Sequence, residues 1–137
     1  MAQDTSILIT NFDWARLRSL AAHAPLKDEL DNAVVVDSRS VPADVVTMNS
    51  QVRFEDQTTG EIRDVTIVFP QDADASEGKI SVLAPVGTAL LGLSAGQAIL
   101  WPFPDGSTRS LRVVELIYQP EADENRSNER QSVRKSA

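Results

Sequence analysis

The chain has 137 residues, 42% of them hydrophobic but only 5% aromatic, which suits one domain with a mainly aliphatic core. It has no cysteine and a single histidine, His23, which excludes a disulfide framework, a thiolate zinc site and a multi-histidine metal centre. A formal net charge of −7 argues against a free-standing nucleic-acid binder, because neutralising phosphates needs concentrated Lys and Arg. Residues 121–137 hold four acids and four bases, so the whole excess of acid lies in residues 1–120. An acidic body of this kind suits a basic protein surface, and it also serves solubility.

The start, "MAQDTSILIT", has no basic residue, and its "ILI" is too short for the apolar core of an export signal. Cytoplasmic residence is the expectation. "TNFDWARLRSLAAHA" reads as an amphipathic helix with Thr10 as its cap and Asp13 in a capping-box-like position. Phe12, Leu17, Leu20 and Ala24 recur at helical spacing, and Pro25 ends the run. "LKDELDNAVVV" offers a second, shorter helix with Leu26, Leu30 and Ala33 or Val34 on one face, although its valines weaken the helical pattern. The two form a short helical hairpin. The solitary His23 reads as a partly exposed surface residue.

"DSRSVPADV" (37–45) is rich in turn formers, and beyond it the period changes from helical to alternating. Val46, Met48, Ser50, Val52 and Phe54 predict one half-buried strand; Ile62, Val65, Ile67 and Phe69 predict its antiparallel partner across "QTTGE". "QDADASEG" (71–78) reads as an acidic exposed loop. The following run, "ISVLAPVGTALLGLSAGQAILW" (80–101), is apolar enough to suggest a membrane span, but Pro85, Gly87, Gly92 and Gly96 cut it every few residues. It divides into a short strand, a helix of about two turns that Pro starts and Gly closes, and another strand. "PDGS" (104–107) is a hairpin turn and "TRSLRVVELIY" the last strand, with Leu111 and Val113 inward. "QPEADENRSNERQSVRKSA" has almost no apolar content and is expected to be a disordered tail.

Chemistry-bearing patterns are few. "KDELD" places Asp28, Glu29 and Asp31 near the bend between the helices, where acids could face a basic channel or a metal ion. Equally, acids in a first turn simply favour the helix dipole. Gly87, Gly92 and Gly96 do not fit the dinucleotide fingerprint, and no P-loop lysine is present. One histidine gives a serine triad little support. Trp101 lies in a strand-like run and is expected in the core; Trp14 is read equally as buried or exposed.

Two segments say more. "DVVTMNSQVRF" (44–54), followed by "ISVLAPVGTALLGLSAGQAILW" and "LRVVELIYQPEA", closely resembles the bacterial regulators of nucleoside diphosphate kinase, which belong with the Gre transcript-cleavage factors through their C-terminal domain. The resemblance runs from about Asp44 to Ala122, and "ITNFDWARL" also resembles the family's N-terminal start. It implies an α+β fold: an FKBP-like bent antiparallel sheet around one short helix, preceded by the N-terminal helical hairpin. The expected organisation is a hairpin and linker over 1–43, an FKBP-like domain over 44–120 and a tail over 121–137.

The resemblance further implies binding to RNA polymerase at the rim of its secondary channel, with no cofactor, no membrane and no sequence-specific nucleic-acid contact. A monomer is expected. Leu83, Ala84, Pro85 and Val86 match the loop that relatives place against the rim, although Pro85 also serves simply to start a helix. The chain departs from the cleavage factors in its arm. A helix from Asn11 to Ala24 spans only about 21 Å at the usual rise, and the acidic tip motif Asp-Leu-Ser-Glu-Asn has no match. No catalytic or metal-binding residue is therefore expected, because a carboxylate that cannot reach a metal adds nothing to it. Asp28, Glu29 and Asp31 stay as candidates for contacts with basic residues at the channel mouth.

The leading expectation is a non-enzymatic transcription regulator that competes with Gre-type factors and acts on nucleoside diphosphate kinase indirectly. The alternatives are an FKBP-type prolyl isomerase, which needs an aromatic-lined pocket that the scattered aromatics do not announce, and a direct protein inhibitor of nucleoside diphosphate kinase.

Overall fold

The structure, a computed structural model, describes residues 7–20 and 26–125; His23, Ala24, Pro25 and the segment 126–137 lie outside them. The elements in chain order are β1 (Leu8–Thr10), α1 (Asn11–Leu20), α2 (Leu26–Asn32), β2 (Val34–Val36), β3 (Gln51–Asp56), β4 (Glu61–Val68), β5 (Lys79–Ser81), α3 (Pro85–Leu90), β6 (Ala98–Pro102) and β7 (Thr108–Tyr118). A helical segment over 120–125 follows. The architecture is mixed α+β: a five-stranded sheet in the order β5-β4-β3-β7-β6, and a separate parallel pair, β1-β2.

Alternation builds the large sheet. Val52 and Phe54 point to the core opposite Val65 on one side and Leu116 and Val113 on the other, while Arg53 points outward between Asp64 and Glu115. Register shifts on either side of Val52–Arg53 mark a bulge in the β3–β7 ladder, which bends the sheet. Ala89, Leu90, Leu91 and Leu93 fill its concave face, all at 1% exposure or less. The apolar run 80–101 is thus a strand, a helix and a strand, as its punctuation predicts, with no helix among the described residues long and apolar enough to cross a membrane. Trp101 is buried, and Trp14 is half-buried with its Nε1 donating to Leu30 O at 3.2 Å.

Several expectations need correction. The valines after Asn32 form β2 rather than extending the second helix, because β-branched side chains fit a strand better. Residues 46–50 are buried at Val46, Met48 and Ser50 but coil around Asn49, whose φ of 68° breaks the strand; β3 starts only at Gln51. Asn is one of the few residues that accept this conformation readily. Ile62 is 59% exposed, since it sits in the outward row opposite Glu55. Phe12, placed on the inner helix face by periodicity, is 66% exposed at the first turn of α1. Residues 121–125, expected to open a disordered tail, are helical, anchored by Thr47 Oγ1 donating to Glu121 Oε1 at 2.6 Å.

The helical hairpin is joined to the body by a hydrogen-bonded ribbon. Val34 N donates to Ile7 O, Leu8 N to Gly92 O, Gly92 N to Val46 O and Val46 N to Leu93 O. Gly92 sits at its centre with a φ of +84°, and a Cβ there would meet Ile7 Cβ at 2.6 Å. Gly92→Ala is expected to cost about 2 kcal/mol or more, from left-handed strain plus displacement of Ile7. Urea denaturation of the variant measures this, and an unchanged midpoint would contradict it.

Candidate functional site

Residues 81–86 form a turn fixed from several sides. Ser81 Oγ accepts from Leu83 N and Ser81 O from Ala84 N, both at 3.0 Å. Thr88 Oγ1 lies 2.6 Å from Val82 O and 3.2 Å from Ala84 O, so its hydroxyl ties α3 back to the turn. Gly87 has no room for a side chain, because a Cβ would run into the Ser81 backbone. Pro85 occupies the first turn of α3, where its missing N–H costs nothing. The outcome is a rigid presentation of Leu83, 49% exposed, beside half-buried Ala84, Pro85 and Val86. Pro85 thus starts the helix and also belongs to an exposed turn.

The three hairpin acids do not converge. Asp28 and Asp31 are exposed, and Asp31 Oδ2 is already engaged by Lys27 Nζ at 2.9 Å. Glu29 lies three residues from Leu26 and one from Leu30, both buried, and so shares their inward face. Its Oε1 is buried with no hydrogen-bond partner among the described residues. Burial, then the neighbouring Asp28 charge, lifts its carboxyl from 4.5 to about 7. Glu29 is therefore unlike the solvated contact residue the sequence suggested: apolar packing of α2 draws it inward. Among the described residues, no group of three or more His, Cys, Asp or Glu side chains is placed to hold a metal ion.

One cluster was not legible in the sequence. Asp13, read there only as a helix-start acid, accepts from Met48 N at 3.2 Å and bridges α1 to the body. Its backbone N–H meets Thr10 Oγ1 at 3.1 Å, so Thr10 does cap the helix. Burial, aided by the nearby Glu121 charge and opposed by the Met48 hydrogen bond, raises Asp13 to about 6. One residue before Met48, Thr47 holds Glu121, and Gln119 Nε2 donates to Pro42 O and Val45 O. Arg16 adds a cation–π contact, 4.0 Å above the Phe69 ring. Sequence spacing carries no sign of these contacts, which join positions far apart in the chain.

Two clefts are open to solvent. One of about 220 Å³ lies between Ala43 and residues 116–123, and one of about 160 Å³ lies beside Trp14, Arg18 and Lys27. Each has one aromatic in its lining, Tyr118 or Trp14.

A curled five-stranded sheet closed over a short Pro-started helix, with a small helical arm, is the architecture of a Gre-type factor body, and sequence comparison agrees. The family described as "Transcription elongation factor, GreA/GreB, C-term" matches residues 41–118, and the chain belongs to this family. It is 43% identical over 126 residues to the regulator of nucleoside diphosphate kinase of Escherichia coli (strain K12), covering 85% of this chain and 93% of that one. To the transcription elongation factor GreA of Clostridium novyi (strain NT) it is 42% identical over 91 residues, covering 66% of this chain and 57% of that protein. A solved structure of a GreA/GreB transcription elongation factor from Nitrosomonas europaea superposes with a TM-score of 0.65 at 44% identity, covering 82% of this chain and 98% of that one.

Glu29 yields a pH prediction. With its carboxyl raised in the folded chain, the energetic cost of ionising it is absent below about pH 4.5, grows as pH rises toward 7, and is constant above. Glu29→Gln is expected to raise the thermal midpoint at pH 8 and leave it nearly unchanged at pH 4. Equal shifts at both pH values would show that Glu29 is not desolvated.

Proposed function

We propose that this protein is a non-catalytic transcription regulator that binds RNA polymerase at the rim of its secondary channel and competes there with Gre-type factors without stimulating transcript cleavage. The observation that carries this reading is the rigid Leu83–Val86 turn, an exposed apolar anchor on a body of the GreA/GreB C-terminal family. A small central anchor held without conformational freedom is the kind of feature from which a modest interface draws most of its energy. We take the body to be of the FKBP-like type, acting as a docking platform rather than as a prolyl isomerase.

The arm supports the non-cleaving half of the proposal. The described part of its first helix, Asn11–Leu20, is about 15 Å long, and its acids diverge, with Asp31 in an ion pair and Glu29 turned inward. Such an arm would occupy the channel entrance, with Asp28 and Asp31 facing basic residues there. It brings no carboxylate pair to a metal. Any effect on nucleoside diphosphate kinase would then be indirect, through transcription in the cytoplasm, and the protein would act as a monomer.

Leu83→Asp and Pro85→Asp, each checked for folding by circular dichroism, are expected to weaken binding to core RNA polymerase about tenfold or more. Fluorescence anisotropy of the labelled protein reads this directly. Wild-type affinity in both folded variants would remove the turn from the interface.

A further inference from the structure

The cleft of about 220 Å³ beside Ala43 is built from two segments far apart in the chain. Ala43 forms one side; residues 116–119, with Ala122 and Asp123 of the following helical segment, form the other. Gln119 is the buried residue among them, 4% exposed, and so makes the floor. Its Nε2 donates to Pro42 O at 2.8 Å and to Val45 O at 2.7 Å. Both acceptors are carbonyls, so the amide cannot be turned round, and its oxygen is the group left over. Gln119 Oε1 is buried with no hydrogen-bond partner among the described residues. A buried acceptor without a donor is costly, and on the floor of an open cleft it marks a place for one.

The groups around this acceptor favour a cation. Segments 40–50 and 113–125 contain Asp44, Glu115, Glu121, Asp123 and Glu124, and no Lys, Arg or His. Glu115 is engaged by Arg53 at 3.2 Å and Glu121 by the Thr47 hydroxyl at 2.6 Å. Asp123, the acid that lines the cleft, is exposed and has no ion-pair partner among the described residues. Tyr118 is 45% exposed in the same lining. Arg16, Arg18 and Arg109 each lie over another aromatic ring, but among the described residues no cation covers Tyr118. Ile117 and Ala122 add aliphatic surface.

We propose that this cleft receives an arginine side chain projecting from a partner protein. The guanidinium pairs with the Asp123 carboxylate and stacks on Tyr118, while its aliphatic stem lies along Ile117 and Ala122. A further N–H reaches Gln119 Oε1 as the exposed Tyr118 side chain shifts to cover the newcomer. Arginine suits the cleft better than lysine, because its planar fork points donors in several directions and has a face that stacks. A second copy of this chain brings another net charge of −7, which opposes self-association. The inference does not depend on the polymerase reading, which rests on the Leu83–Val86 turn.

The test titrates the full-length, isotope-labelled chain with the peptide Ac-Ala-Arg-Ala-NH2 and follows amide shifts by NMR. Saturable shifts at Ala43, Ile117–Gln119 and Ala122–Asp123 are expected in the millimolar range, together with movement of the Gln119 side-chain amide signals as its oxygen gains a donor. Peptides carrying lysine or the neutral isostere citrulline in place of arginine should bind about fivefold more weakly. Asp123→Asn and Tyr118→Leu, both at exposed side chains, should each weaken arginine-peptide binding about fivefold while the thermal midpoint stays nearly unchanged. Absence of saturable shifts at these positions, equal binding of the three peptides, or wild-type affinity in either folded variant would overturn the proposal. Replacing Arg126, Arg130, Arg134 and Lys135 by alanine tests the chain's own C-terminal segment as occupant. If that change alone moved the Tyr118 and Asp123 signals and strengthened peptide binding, the cleft would belong to that segment and the proposal would fall.

Discussion

Gly92 closes the ribbon on which the helical arm sits. Its amide reaches Val46 O and its carbonyl receives Leu8 N, so one residue joins the linker, the end of the α3 region and the first strand. Only a residue without a Cβ can do this, because the left-handed backbone and the contact with Ile7 exclude a side chain together. The arm is then held at two further points, Asp13 on the Met48 amide and Arg16 over Phe69. Connecting segments of the body, at Val46–Met48, Phe69 and Gly92, thereby hold the arm in place.

The body was readable from the sequence because its signals are local. Alternation marked β3 and β4, the Asp-Gly turn marked the β6–β7 hairpin, and glycine and proline spacing separated a core helix from a membrane span. Errors fell where tertiary contacts overrule local preference. The valines of β2, suited to a strand by their β-branching, find their partner edge in Ile7–Thr10, far back in the chain. Ile62 is one step out of phase with Val65 and Ile67, so the alternation of β4 itself puts it in the outer row opposite Glu55. Helicity at 120–125, in a stretch nearly devoid of apolar residues, accompanies the pairing of Glu121 with Thr47, 74 positions away.

The candidate site was legible in the same uneven way. The Leu83–Val86 turn was expected from Pro85 and the family pattern, and Leu83 is exposed at its tip. The acidic triplet did not survive as a unit, since helical spacing turns Glu29 toward Leu26 and Leu30 while Asp28 and Asp31 face water. Asp13 was the converse case: an acid read only as a capping-box partner is drawn inward by a backbone amide, at the cost of desolvation. Among the described residues, these two half-buried carboxyls with raised pKa lie within the arm and at its junction with the body.

On the proposed reading, the exposed turn would dock on the polymerase while the short arm would bring no charge to its reaction centre. The most direct measurement is transcript cleavage in a backtracked polymerase complex containing a fixed amount of GreA, as this protein is titrated in. The account predicts that cleavage falls with saturable competition and that this protein alone produces none. Undiminished GreA cleavage at saturating protein, or cleavage produced by this protein itself, would contradict it.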